Sequence, residues 1–302
     1  AFASRERAGG ARFRGQAIDV FPASHEALRG FDAVFFAGSE DASGTFAPPL
    51  VEAGAIVIDN SSTFRMRDDL ALIVPEVNAG AIRAGQRLFP VANCTAIVLC
   101  TALAPVRDAA GLSGIRVATY QAASGAGRAG LEELRAGEEA LARGAREPRP
   151  SAFAAPLARN VIPQVGELDD WGSSTEERKI RAEARKILGL PELFASVLAV
   201  RVPVATAHSE AVFFETERPI ALGALAAAFE RAPGVAFHRD GIVTPREVEG
   251  TDLVHVARLR AEEGGRDRAF SLWCVGDQLR KGAATNAVQI LELLLASTVT
   301  GR

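Results

Sequence analysis

Apolar residues in the first third of the chain fall in short continuous runs separated by turn and helix signals. Residues 32–37 (Asp-Ala-Val-Phe-Phe-Ala), 55–59 (Ala-Ile-Val-Ile-Asp) and 71–74 (Ala-Leu-Ile-Val) read as buried strands, with a crossover helix over 43–53 between the first two. Strands this continuously apolar suit a parallel sheet covered on both faces. The apolar run 88–91 then leads directly into a helix-like stretch over 95–104. From Gly114 the pattern changes. A strand over 115–120, a turn over 124–127 and an amphipathic helix over 131–142 are followed by a loop, 144–158, rich in Arg, Pro and Ala without clear period. A second helix is predicted over 174–188, capped by Ser173 or Ser174 and stopped at Gly189. Strands over 196–204, 209–216, 253–259 and 270–275 follow at short spacing, as in a mostly antiparallel sheet. The chain closes on a helix over 279–295, for which Asp277 is available as N-cap. The predicted fold is α/β: a Rossmann-like nucleotide-binding domain followed by an α+β domain.

Composition narrows this picture. At 302 residues the chain exceeds the size at which one core usually keeps growing, so two domains are expected. A net charge of −3 gives no general electrostatic reason to bind nucleic acid or an anionic membrane. Three cysteines with no CxxC or Cys/His spacing argue against a disulfide framework or a metal site, and for a reducing compartment, the cytoplasm. Arg5, Arg7, Arg12, Arg14 and Asp19 leave no apolar signal region near the start. The longest apolar stretch, 96–106, is well short of the roughly 20 residues that span a bilayer. A Rossmann sheet holds pyrophosphate on a glycine-rich turn after its first strand, and no GxGxxG or P-loop occurs in the first third of this sequence, where that turn would lie. The first domain is therefore expected to be truncated at its N-terminus.

Candidate chemistry starts at Cys94, at the junction of the apolar run and the helix. Unpaired N–H groups and aligned peptide dipoles at a helix start favour an anion, so a thiol there is expected to reach the thiolate more readily. Cys100 and Cys274 sit inside apolar runs and read as inert core residues. His208 falls in the loop joining two predicted strands, where general bases are often presented.

Six spaced segments unite these residues: Asp59-Asn-Ser-Ser-Thr-Phe-Arg-Met66, Val74-Pro-Glu-Val-Asn78, Asn93-Cys94-Thr95, Thr119-Tyr-Gln-Ala-Ala-Ser-Gly-Ala-Gly127, Arg201-Val-Pro-Val-x-x-x-His208 and Gln278-Leu-Arg-Lys-Gly-Ala-Ala284. In this order they resemble the aspartate-semialdehyde dehydrogenase family. The resemblance implies NADP-dependent reductive dephosphorylation of L-aspartyl-4-phosphate to the semialdehyde through a cysteine thioester, a step of lysine, threonine, methionine and diaminopimelate biosynthesis. Cys94 would be the nucleophile, and His208 the acid/base that accepts the thiol proton and later handles the hemithioacetal proton. Gln121 would orient the substrate carbonyl. Arg65, Lys179 and Asn93 would meet the phosphate, Arg201 the α-carboxylate and Glu176 the α-ammonium. Ser4, Arg5, Arg7, Ser124, Gly125 and Gln278 would contact NADP. The resemblance further implies a nucleotide domain from 1–93 plus 276–302, a catalytic and dimerisation domain over 94–275, and a homodimer or homotetramer. Its small-molecule partners would be the acyl phosphate and inorganic phosphate.

Spacing alone makes Glu176 and Lys179 an ordinary i, i+3 pair on one helix face. Glu6 stands where the family usually has arginine, a repulsive neighbour for a 2′-phosphate, although Arg5 and Arg7 flank it. Two alternatives stay open: a reductase of the N-acetyl-glutamyl-phosphate type, whose acylated nitrogen needs no carboxylate facing it, and a shortened paralogue acting as a subunit.

Overall fold

The structure, a computed structural model, describes residues 1–300, with side chains for all of these except Arg5 and 297–300. The chain opens on a small sheet of order β1-β3-β2, built from β1 (Phe2–Ala3), β2 (Gly9–Phe13) and β3 (Gln16–Pro22). Every residue of β2 is exposed, so this hairpin carries none of the apolar alternation that announces a strand. Next come β4 (Ala33–Phe36), α1 (Glu40–Glu52), β5 (Ile56–Asp59), α2 (Pro75–Asn78) and β6 (Leu88–Pro90), whose strands form a parallel sheet of order β4-β5-β6. Helix α1 begins three residues before its predicted start because Ser39 caps it, its hydroxyl accepting the Ala42 amide at 3.3 Å.

Residues 71–74 are not a strand. They are buried as predicted, but side chains do the work of a neighbouring strand on their main chain. Gln86 bonds both the amide and the carbonyl of Ala71, Asn78 bonds Val74 N and Leu72 O, and Asn286 donates to Ile73 O. Buried backbone groups need partners of some kind, and an apolar run does not say which.

Helix α3 (Cys94–Ala110) is buried on every side from Thr95 to Val106, as a helix apolar all round must be. It lies in a core that joins Ile58 and Phe89 of the first domain to Val212, Phe214 and Phe270 of the second. The second domain contributes β7 (Gly114–Gln121), α4 (Gly127–Ala142), α5 (Thr175–Leu188), β8 (Phe194–Arg201), β9 (His208–Glu215), α6 (Leu222–Glu230), β10 (Val235–His238), α7 (Pro245–Val248), β11 (Val254–Ala261) and β12 (Ala269–Gly276). Its strands form one mixed sheet of order β10-β11-β12-β9-β7-β8, antiparallel at three of its pairings and parallel at two. The α6 and β10 segments, between two predicted strands, were not anticipated from the pattern.

Asp277 caps as expected, accepting the amides of Leu279 and Arg280, but what it caps is a π-helical turn over Arg280–Ala284. Helix α8 (Thr285–Thr300) continues from that turn, with Ala287 and Ile290 in the shared core. Among the described residues no helix is long and apolar enough to cross a membrane, and no group of three or more His, Cys, Asp and Glu could hold a metal ion.

Candidate active site

Cys94 is the first residue of α3, and Asn93 is its N-cap: the Asn93 side-chain oxygen accepts the amides of Thr95 and Ala96 at 2.9 and 3.1 Å. The same amide group donates from Nδ2 to Glu176 Oε1 at 3.0 Å, and Gln121 Nε2 donates to that oxygen at 3.1 Å. Glu176 thus ties the α3 cap to the end of β7 through one oxygen, while Oε2 has no hydrogen bond among the described residues. Gly282 packs closely against Cys94, since a Cβ on it would lie 3.0 Å from Cys94 Cβ.

The thiol is not the resting thiolate that a helix start alone suggests. Burial, together with the Glu176 carboxylate, pushes it up to about 12, against smaller opposing effects of Thr95 and Arg65. Desolvation of the anion outweighs the helix N-terminus here.

His208 opens β9 and is fully buried. Ala122 N donates to its Nδ1 at 3.1 Å, and Nε2 is buried without a partner. Burial and the nearby Arg201 charge lower the ring to about 3, so it rests neutral with its proton on Nε2. The preceding Ala207 holds a left-handed backbone, φ 69°, which an L-residue rarely adopts. Gln278 Oε1 accepts the Ala207 amide at 2.8 Å, and Gln278 Nε2 donates to Ser124 Oγ. The side chain that the sequence offers as a cofactor contact thus also braces the residue before His208.

Arg201, at the end of β8, donates from Nη1 to Ala122 O at 2.7 Å. Burial lowers its pKa, and Glu176 and Cys94 oppose the shift. Gly125 lets its backbone pack closely against it: a Cβ there would lie 2.6 Å from Arg201 Nη1 and 3.0 Å from His208 Nε2.

Arg65 follows β5 on a loop anchored by buried Asp59, which accepts the hydroxyls of Ser43 and Ser61, both at 2.7 Å. Its guanidinium donates to Asn60 O at 3.0 Å and to Glu183 Oε1 at 3.2 Å, leaving a buried Nε unpartnered. Glu183 is the site residue that sequence reasoning missed. Its other oxygen accepts the Asn93 amide at 2.5 Å, so it bridges Arg65 to the residue before Cys94. Burial raises its pKa, while Arg65 and the Asn93 amide hold it down. The available signal was its spacing, i+7 from Glu176 on one face of α5.

Helix α5 carries this face because Ser174 and Glu177 form a capping box at its start. Lys179 shares the face, and its side chain has no hydrogen bond or ion pair among the described residues. Ser4 and Arg7 are exposed on the turn after β1, unbonded to the cluster around Cys94. The Arg5 side chain lies outside the described residues.

Two family models match the chain: the NAD-binding domain of semialdehyde dehydrogenases over residues 1–85 and their dimerisation domain over 103–281. The aspartate-semialdehyde dehydrogenase of Mycolicibacterium smegmatis is 38% identical over 94% of this chain and 86% of its own length. Aspartate-semialdehyde dehydrogenase 2 of Vibrio cholerae is 41% identical over 87% of this chain and 78% of its own. The crystal structure of aspartate semialdehyde dehydrogenase II from Vibrio cholerae aligns with a TM-score of 0.90 at 37% identity, covering 98% of this chain and 89% of that one. A second structure of that enzyme, complexed with ASA, aligns equally well. By sequence, domain content and fold, the chain belongs to the aspartate-semialdehyde dehydrogenase family of oxidoreductases.

Proposed function

We propose that the chain interconverts L-aspartyl-4-phosphate and L-aspartate-4-semialdehyde with NADP(H), through a thioester on Cys94. The observation that carries this reading is Glu176: one oxygen is committed to Asn93 and Gln121, and the other is open in a cluster that also holds Cys94 and Arg201. An open carboxylate oxygen beside a buried guanidinium suits a substrate with both an ammonium and a carboxylate. It has no use for the acylated nitrogen of an N-acetyl-glutamyl substrate.

Cys94 Sγ attacks the acyl carbon, and its proton leaves as substrate arrives rather than beforehand, because the buried thiol is held up to about 12. His208 presents Nε2–H to the developing oxyanion, as its Nδ1 is engaged by Ala122 N. To take the thiol proton on Nε2 the ring must adopt its other tautomer and give up the Ala122 bond. Gln121 orients the carbonyl, Arg201 grips the carboxylate, and Arg65, Asn93 and Lys179 receive the phosphate.

The residues present fit a nicotinamide cofactor: His208 Nε2 is buried without a partner, and Gly125, having no Cβ, brings its backbone close to His208 and Arg201. Bound NADP would exchange the hydride with the acyl carbon, and Ser4, Arg5, Arg7, Ser124 and Gln278 would hold it. The division into a nucleotide domain of 1–93 plus 276–302 and a catalytic domain of 94–275 is supported by the Asn286–Ile73 bond, which draws α8 back to the first domain. One face of the large sheet leaves Tyr120, Phe194, Leu198 and Phe213 partly exposed, an apolar surface suited to a homodimer or a dimer of dimers. A nucleophilic thiol suits the reducing cytoplasm.

The test is phosphate-dependent reduction of NADP by aspartate semialdehyde, with NAD and N-acetyl-glutamate semialdehyde as comparisons and mass spectrometry for the acyl adduct. Turnover that vanishes in Cys94→Ser is expected. Preference for the acetylated substrate, or an adduct elsewhere than Cys94, sinks the reading.

A further inference from the structure

The long segment between α4 and α5 has no period in its sequence, yet it closes on Arg201 at two points. Ile162 and Arg201 exchange both backbone hydrogen bonds, at 3.0 and 2.8 Å, which pins the end of β8. Earlier in the same segment, the ring of Phe153 faces the Arg201 guanidinium, with its centroid 5.5 Å from Arg201 Cζ. The chain between these points is anchored by Leu157, Ala158 and Ile162, which pack with Ala123 and Leu134.

Two features of α4 set the ring in place. Glu133 Oε2 accepts the amides of Ser151 and Ala152, each at 2.7 Å, together with the Ser151 hydroxyl at 3.1 Å, fixing the backbone just before Phe153. Gly130, on the same face of α4 as Glu133, leaves room for the ring tip, since a Cβ there would lie 3.0 Å from Phe153 Cζ. With Nη1 bound to Ala122 O and Cζ over the Phe153 ring, the guanidinium is oriented by apolar surface as well as by hydrogen bonds.

We propose that Phe153 is a positioning residue that sets specificity for a carboxylate-bearing aldehyde by holding the Arg201 fork in its receiving orientation. The proposal rests on the reading of Arg201 as the carboxylate-binding group. A cation held over a ring face in a desolvated site is stabilised by the ring quadrupole, and a planar fork binds carboxylate well only when its plane is fixed.

The experiment measures binding of aspartate semialdehyde to the Cys94→Ser chain by calorimetry, and KM values in the chain with Cys94 intact. Phe153→Leu is expected to raise both the Kd and the KM for the aldehyde by about tenfold. The KM values for phosphate and NADP should stay within about twofold, a selectivity that loss of packing alone would not give. Pentafluorophenylalanine at position 153 keeps the shape and reverses the quadrupole, and it should weaken aldehyde binding in the same direction. Unchanged aldehyde binding in both variants, or an equal rise in the phosphate KM, overturns the proposal. If the Cys94→Ser chain with Phe153 intact fails to bind the aldehyde, the substrate reading falls and takes this proposal with it, which separates that failure from a selective one.

Discussion

Around Cys94, side chains from several distant segments are locked to one another before any substrate arrives. Glu176 ties Asn93 to Gln121, Glu183 ties Asn93 to Arg65, and Ala122 holds both His208 and Arg201 through its amide and carbonyl. At the turn after β1, by contrast, Ser4 and Arg7 are exposed and make no side-chain hydrogen bonds among the described residues. On the proposed reading of the two regions, the difference follows the task. Acyl transfer needs atoms placed to a fraction of an ångström and dipoles already oriented, whereas a charged surface can gather a phosphate without being ordered first.

That contrast gives graded expectations. His208→Ala should lower kcat by about 10²- to 10⁴-fold, and His208→Gln should keep more activity because its amide can still donate where Nε2–H did. Equal loss in both would mean that proton acceptance outweighs donation. Glu183→Gln sets an amide where two donors, Arg65 Nη1 and Asn93 N, each require an acceptor. It should cost about 3 kcal/mol in urea unfolding, the penalty for leaving a buried charge unpaired, and raise the KM for phosphate.

Two groups of the site, both buried in neutral form, make their own contributions to the pH dependence. His208 is near 3 when folded against an ordinary 6.5, so the unfolded chain binds more protons in that window and stability should fall as pH drops below 6.5. Cys94 is near 12 against an ordinary 9.0, so the folded chain holds the extra proton and stability should fall as pH rises above 9. Melting temperatures of wild type and Cys94→Ala across pH 8 to about 11 would check the second arm, since the variant should lose less. The smallest effect belongs to the surface: Arg7→Ala should raise the KM for NADP only about threefold, fading with salt and leaving NAD unaffected. A loss at Arg7 as large as that at His208 would erase the contrast between the two ends.

Much of this site could be read in the sequence because its parts carry local signatures. Asn93-Cys94 before an apolar helix and the serine cap before α5 each lie within a few residues, whereas Glu176 and Lys179 stand out only through the family resemblance. Glu183 was hidden because its partners Arg65 and Asn93 are remote in the chain, and only the crossing of α5 over both loops brings them together. Residues 71–74 misled for a related reason, as the side chains of Gln86, Asn78 and Asn286 replaced the strand that their apolar character suggested.

The sequence by itself determined which residue types stand at the helix start, the strand ends and the capped face of α5, because caps and periodicity act over one or two turns. Tertiary structure decided the protonation states. A helix N-terminus favours a thiolate, but desolvation grows with everything packed around the sulfur, and at Cys94 it prevails, leaving a neutral thiol in the same cluster as a neutral imidazole.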